Sequence, residues 1–420
     1  METTEEYLDR KRKEIGLLNN CLTRPLRLGP PHSPNDVVEQ KFQLTAALRA
    51  QHEFGNWRAT ETSWSHRPCV AGSFEFNYDY QRADLGVNGP SFYEMNEIAV
   101  APTIYTASGM AAITALLLAS SHVWRKAEVL ISPGLYSETG ELIQGYARHL
   151  RIVELADENL VRQQGSPQLL LLDSCVPAWS FEAALCALNS LVDLLIFDTT
   201  CFAGGSAMIR RVLRLAKRSD IPVVLVRSHT KLDSLGVEYG RLGSITFINA
   251  EGRACGSELD RLFIETQTAV RLFGGAALPD HFPPYVGNPT YRSLTRWRVA
   301  SILNNGRRSS RYFRTALNGS EAELQFVHGL YVTLGSGRLP DEATTRKAAA
   351  DLSRDLGQAG FPIRHAGSFG FDFATTEWAR DMIASRYVVR LGVPDLLTII
   401  WDDLTKAISQ WWRSNQLGSG

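Results

Sequence analysis

Ile221-Pro-Val-Val-Leu-Val-Arg-Ser-His-Thr-Lys231-Leu-Asp-Ser-Leu-Gly236 is the stretch around which the chain is organised. Residues 221–226 are a run of β-branched and apolar side chains, the pattern of a buried strand. The run breaks at Ser228-His229-Thr230-Lys231 and a glycine-containing turn. Lysine is strongly hydrated and belongs at the surface, so a lysine led inward behind a hydrophobic strand needs a reason. A Schiff base with an aldehyde cofactor is one, because desolvation lowers the amine pKa and leaves Lys231 nucleophilic. The hydroxyls of Ser228 and Thr230 then suit phosphate oxygens. The same letters also describe a strand followed by a solvated loop lysine. His229 reads as a packing group, since nothing nearby in the sequence orients its ring as a base.

Working outward, strand-like runs recur at residues 127–132, 150–155, 168–173, 191–197 and 244–249, with helical patterns at 178–188 and 207–219. That alternation predicts a mostly parallel sheet covered by helices, an α/β domain. Strand ends are where ligands of such folds bind. The segment LVDLLIFDTT ends in Asp198 and Thr200. A carboxylate there pairs with a protonated ring nitrogen or caps the next helix. The run AEVLIS is followed by Pro133-Gly134-Leu135-Tyr136, which puts a tyrosine past a strand end as a cofactor neighbour or an ordinary rim residue. Residues 101–120 read as one helix with a polar start, Thr106-Ala-Ser108-Gly109-Met110. Small residues at a helix start expose backbone N–H groups toward an anion, and a serine such as Ser108 is equally an ordinary N-cap.

Residues 1–72 read as an N-terminal arm, with helices at 1–18 and 37–54 joined by the Pro/Gly-rich LTRPLRLGPPHSPN. Residues 73–97 read as an exposed loop rich in aromatics. Within it Tyr80 and Arg82 sit two apart and project to one side of an extended segment, as a phosphate contact would. The large domain is expected over residues 73–290 and a smaller α+β domain over residues 291–420. The latter combines helices at 289–317, 341–356 and 395–412 with strands at 325–334 and 387–393. Arg390, among the apolar residues of VVRLGV, wants an anionic partner.

The 420 residues carry 44 basic and 44 acidic side chains, so no net charge recommends nucleic acid or an anionic membrane as a main partner. No apolar run reaches the roughly 18 residues of a membrane span. The N-terminal METTEEYLDRKRKEIG lacks the apolar stretch of a secretory leader. Six scattered cysteines without CxxC pairs fit reduced thiols in a cytoplasm, with no zinc or other metal site.

Taken in order, SGMAAI with Ser108-Gly109-Met110, then Tyr136, Asp198-x-Thr200, Ser228-x-Thr230-Lys231 and Arg390 form a combination. It resembles the fold-type I pyridoxal 5'-phosphate (PLP) enzymes over about residues 75–400. Within them it is most similar to the Cys/Met metabolism family of cystathionine γ-synthase, β-lyase and methionine γ-lyase. The resemblance implies a PLP-dependent transferase fold: a mostly parallel sheet covered by helices, an N-terminal arm and a smaller α+β C-terminal domain. It implies that Lys231 forms the Schiff base and moves protons, and that Asp198 pairs with the pyridinium nitrogen beside Thr200. Ser108, Gly109, Met110, Ser228 and Thr230 would hold the phosphate, Tyr136 would stack on the ring and act in acid–base chemistry, and Arg390 would take the substrate α-carboxylate. Tyr80 and Arg82 match a tyrosine-x-arginine segment that reaches into a neighbouring subunit's site, which implies a homodimer or homotetramer.

The implied activity is that of a lyase or transferase acting on a small L-amino acid. Deprotonation at Cα and Cβ leads to γ-elimination or γ-replacement through a vinylglycine-type intermediate. An aminotransferase or β-lyase on the same fold is the alternative, and a cofactor-binding protein without chemistry is a rival of another class. Asn88-Gly89-Pro90, Asp173-Ser-Cys-Val-Pro177 and Leu232-Asp-Ser-Leu-Gly-Val-Glu-Tyr239 depart from the family pattern. That drift points to specialised, natural-product metabolism.

Overall fold

Strands that are apolar throughout need cover on both faces, and parallel order with helical crossovers supplies it. The computed structural model describes residues 2–55, 69–77, 86–99, 101–155, 166–188, 192–249, 256–317, 322–323, 327–381 and 385–417. The chain divides into two compact units: residues 49–233 with 238–287, and residues 1–48 with 234–237 and 288–420.

The larger unit opens with a three-stranded antiparallel sheet of β1 (Cys69–Ala71), β2 (Phe74–Asn77) and β3 (Gly86–Asn88). Where the sequence suggested an exposed loop, β2 alternates buried and exposed residues. Phe74 and Phe76 are buried against Phe282, with ring centroids 4.6 and 4.8 Å away. Aromatic burial overrides the turn signals around them.

The main sheet comprises β4 (Thr103–Thr106), β5 (Ala127–Ile131), β6 (Leu150–Glu154), β7 (Gln168–Asp173), β8 (Leu194–Asp198), β9 (Val223–Ser228) and β10 (Gly243–Ile248). Its order is β4-β10-β9-β8-β7-β5-β6. The pairs from β6 through β9 are parallel, and β10 runs antiparallel to both its neighbours. This is the mostly parallel α/β sheet that the alternating pattern predicts. Residues 101–120 do not form one helix. Thr103–Thr106, β-branched and aromatic, makes an edge strand, and the helix starts at Gly109 and runs to Val123. The Oγ of Ser108 ends one element and starts the next by accepting from the Ala111 amide at 3.0 Å.

That helix buries Ala112, Ile113, Leu116 and Leu117 among Val129, Leu169, Ile196, Val224 and Ile245 of the sheet and Leu262 of the Gly256–Leu272 helix. Each such Leu or Ile contributes about 1.5–3 kcal/mol by leaving water. The Ala207–Arg218 helix shows the complementary pattern. It buries Ile209, Val212 and Ala216, is capped by Ser206, and ends in Lys217 and Arg218, where cations favour a helix C-terminus.

The smaller unit is α+β. Its sheet contains β11 (Ala322–Glu323), β12 (Tyr331–Gly335), β13 (Ile363–His365), β14 (Ala374–Asp381) and β15 (Arg386–Gly392), in the order β11-β12-β15-β14-β13. The polar composition of β14, ATTEWARD, hid it from a reading by apolar runs. A cluster of buried charges ties this unit together. Arg298 Nη1 lies 2.7 Å from Glu14 Oε2 and 2.8 Å from Asp372 Oδ1. Arg10 grips both oxygens of Asp395 at 2.7 and 3.0 Å. Lys41 Nζ reaches Asp372 Oδ2 at 2.6 Å and the Leu235 carbonyl at 2.8 Å. Lys11 pairs with Asp372 and Asp395. No helix among the described residues is long and apolar enough to cross a membrane.

Candidate active site

Side chains alternate along β9 and just beyond it, and the alternation sorts the residues around Lys231. Arg227 and His229 are buried, while Ser228, Thr230 and Lys231 are half-buried. On the buried side, Arg227 holds both oxygens of Asp233 at 2.7 and 2.8 Å and donates to the carbonyls of Thr199 and Phe202. His229 sits between Asp233 (Nδ1, 2.8 Å) and Ser244 (Nε2, 2.8 Å), with its ring 3.8 Å from that of Phe92. Burial works against the Asp233 carboxylate, but Arg227 and His229 hold it down at about 2. Burial lowers the His229 pKa. This histidine is a packed member of a scaffold that pins the backbone on either side of Thr230-Lys231.

On the other side a line of contacts runs across the strand ends. Gly109 has room for no side chain, since a Cβ there would stand 2.8 Å from Ser228 Cβ. Ser228 and Thr230 share a hydrogen bond between hydroxyls at 3.0 Å. The Ser228 amide donates to Thr200 Oγ1 at 3.0 Å, and the Thr200 amide donates to Asp198 Oδ1 at 2.8 Å. Asp198 is the register partner of Asp173 at the end of β7. Asp173 in turn accepts from the amides of Tyr136 (3.0 Å) and Cys175 (2.7 Å).

Burial, reinforced by the charge of Asp198, pushes Asp173 up to about 7. Burial also raises Asp198, against the hydrogen bonds from Thr200. Neighbouring carboxyls shielded from water resist ionising together, which is why both are shifted upward.

The structure therefore links Gly109, Ser228, Thr230, Thr200, Asp198 and Tyr136, with Ser108 and Met110 on either side of Gly109 and Lys231 next to Thr230. Tyr136 is 38 % exposed. Tyr80 and Arg82 lie outside the described residues. Arg390 belongs to the smaller unit, and the anionic partner it wanted is Glu377, its register neighbour on β14, at 2.6 Å from Nη2. The guanidinium also lies 4.4 Å over the Tyr331 ring. Asp173 is the residue that sequence reading passed over. Its signal was there, because QLLLLD ends as LLIFD does, in a carboxylate behind an apolar run. A cleft of 740 Å³ in the larger unit, bordered by Phe92, Tyr105, His229, Ser244 and Arg271, does not include Lys231 or Asp198.

No family model matches the chain, and no curated protein matches it. Among solved structures, cystathionine gamma synthase from Xanthomonas oryzae pv. oryzae in complex with cystathionine aligns with a TM-score of 0.52 at 14% identity. The alignment covers 76% of this chain and 83% of that one. The same enzyme in complex with aminoacrylate and cysteine aligns at 0.49 and 14% identity, over 74% and 81% of the two chains. What this chain has in common with that enzyme is its fold, the α/β architecture of fold type I.

Proposed function

We propose that the larger unit binds pyridoxal 5'-phosphate and that the chain is a PLP-dependent lyase or transferase of small L-amino acids, working by γ-elimination or γ-replacement. The contact line from Gly109 through Ser228 and Thr200 to the Asp198–Asp173 pair is the observation that carries this reading. Its chemistry suits the cofactor at each end. At one end, the Ser228 and Thr230 hydroxyls lie against the start of the Gly109–Val123 helix, where Gly109 allows the close approach, a setting that suits a phosphate. At the other, the buried Asp173 and half-buried Asp198 carboxyls suit a cationic ring nitrogen, and Lys231, next to Thr230 in the chain, would offer an amine.

When bound, the cofactor supplies an electron sink for charge developed at the substrate Cα. Lys231 Nζ binds the aldehyde and moves the proton at Cα. The Tyr136 hydroxyl, at the open rim, serves the proton at Cβ. Asp198 holds the proton at the ring nitrogen, and Asp173 keeps its neighbour's carboxyl in place through the strand register. The α-carboxylate role of Arg390 rests on the resemblance alone, since within the smaller unit its guanidinium is paired with Glu377. Tyr80 and Arg82 would complete the phosphate site of a neighbouring copy in a homodimer or homotetramer. Departures from the family pattern around the substrate favour a specialised metabolic role.

Absorbance tests the reading. Adding pyridoxal phosphate to the purified protein is expected to raise a visible band, and L-amino acids carrying a γ-substituent are expected to shift it and release a 2-oxo acid or a replacement product. No band means that Lys231 is an ordinary lysine. A band that bleaches to pyridoxamine phosphate and returns with a 2-oxo acid favours the aminotransferase alternative. Gly109→Ala forces its methyl group onto Ser228. It is expected to weaken pyridoxal phosphate binding about tenfold or more, equivalent to about 1.4 kcal/mol, in an absorbance titration.

A further inference from the structure

Two turns leave the larger unit's sheet side by side, one after β7 and one after β8, and each carries a cysteine. Cys175 follows Asp173 by two residues and Cys201 follows Asp198 by three. Their Sγ atoms are 3.5 Å apart although the residues are 26 positions apart in sequence. Both are thiols rather than halves of a disulfide. Cys201 is buried and Cys175 is partly open. The Cys175 backbone is bonded to the carboxyl pair and the Cys201 backbone to the residue beside it. The Cys175 amide donates to Asp173 Oδ1 at 2.7 Å, and the Cys201 amide donates at 3.0 Å to the hydroxyl of Ser174, the residue after Asp173. A disulfide has an S–S length of about 2.05 Å, so joining the two sulfurs brings them about 1.5 Å closer than their present contact and pulls on the turns that carry them.

We propose that Cys175 and Cys201 form a dithiol switch whose oxidation to a disulfide disengages the Cys175 amide from Asp173 and lowers the site's affinity for its cofactor. The cofactor part rests on the functional reading above; the cross-link does not. The oxidant is a small-molecule disulfide. The thiolate of Cys175, the accessible member, attacks one sulfur, forms a mixed disulfide and expels a small thiolate. Cys201 then gives up its proton and attacks the Cys175 sulfur, closing the intramolecular bond and expelling the second small thiol. The two protein thiols lose two electrons and two protons, and the small disulfide is reduced to two thiols. The contact with Cys175 and burial raise the Cys201 pKa, so Cys201 is the slower thiol to react and Cys175 attacks first. Separated strand-end turns on adjacent parallel strands make this pairing invisible to any motif of closely spaced cysteines.

Oxidised glutathione added to the reduced full-length chain tests this, with peptide mass mapping and a pyridoxal phosphate titration as readouts. The expected result is one species in which the peptides of Cys175 and Cys201 are joined and two hydrogens lighter than their sum. It is accompanied by about tenfold weaker pyridoxal phosphate binding, the effect of losing one hydrogen bond to a buried carboxyl, and both changes reverse with dithiothreitol. Cys201→Ser, or Cys175→Ser at the more open position, keeps the reduced affinity after oxidation. Glutathione adducts at Cys175 with no internal cross-link overturn the proposal, as does a cross-linked protein of unchanged affinity. Failure of the reduced protein to bind pyridoxal phosphate instead overturns the functional reading, while the mapped cross-link is judged by mass alone.

Discussion

Lys231→Ala is expected to lose the visible band given by pyridoxal phosphate and to lower turnover by at least about 10²- to 10⁴-fold, the contribution of a positioned proton-transfer group. The larger unit's sequence holds three lysines: Lys126, Lys217 and Lys231. Lys126 is exposed just before β5, and Lys217 is exposed in the last turn of the helix that leads into β9. Both therefore stand at the N-terminal ends of strands. Lys231 alone of the three follows the C-terminal end of one, beside Thr230 and the Arg227–Asp233–His229 scaffold. Lys217→Ala is the matched control and should retain band and turnover. Turnover by Lys231→Ala at the wild-type rate sinks the assignment.

Asp372→Asn is expected to destabilise the smaller unit by about 3–5 kcal/mol, because it leaves buried cations short of their counter-charge. Lys11, Lys41 and Arg298 all bond to this one carboxylate. Burial alone would raise its pKa; Arg298, Lys11 and Lys41 hold it well below the usual range. Burial is likewise outweighed at Glu14 by Arg298, and at Asp395 by Lys11 and Arg10. Carboxylates with depressed folded pKa values contribute stability that is complete above the ordinary carboxylate range near pH 4 and is lost as pH falls through the lower folded values. Wild-type protein should thus lose stability steeply below about pH 4, and Asp372→Asn should show a shallower acid slope. Denaturant midpoints measured from neutral to acid pH read both effects. A substitution effect below about 1 kcal/mol at neutral pH would mean that the cluster is hydrated and behaves like a surface network.

The candidate site was legible to the extent that it is written in local pattern. LLIFD and VVLVRS announce strands, and the polar residue types that follow them mark the candidate site. Ser108 was legible as a cap, although the strand ahead of it was absorbed into an overlong helix. The sequence reading of Arg390 as a cation in search of an anion was sound chemistry. Its partner Glu377 lay on β14, a strand too polar to be recognised by its apolar run.

Sequence alone determined the alternation of strands and helices from β5 to β10 and the residue types at the strand ends, because burial periodicity and turn formation act over a few residues. Tertiary structure decided which ends became neighbours. It set Asp173 beside Asp198, Ser228 against Gly109 and Cys175 against Cys201. Parallel strands are brought into register by the packing of their crossover helices, and no short-range pattern encodes that packing.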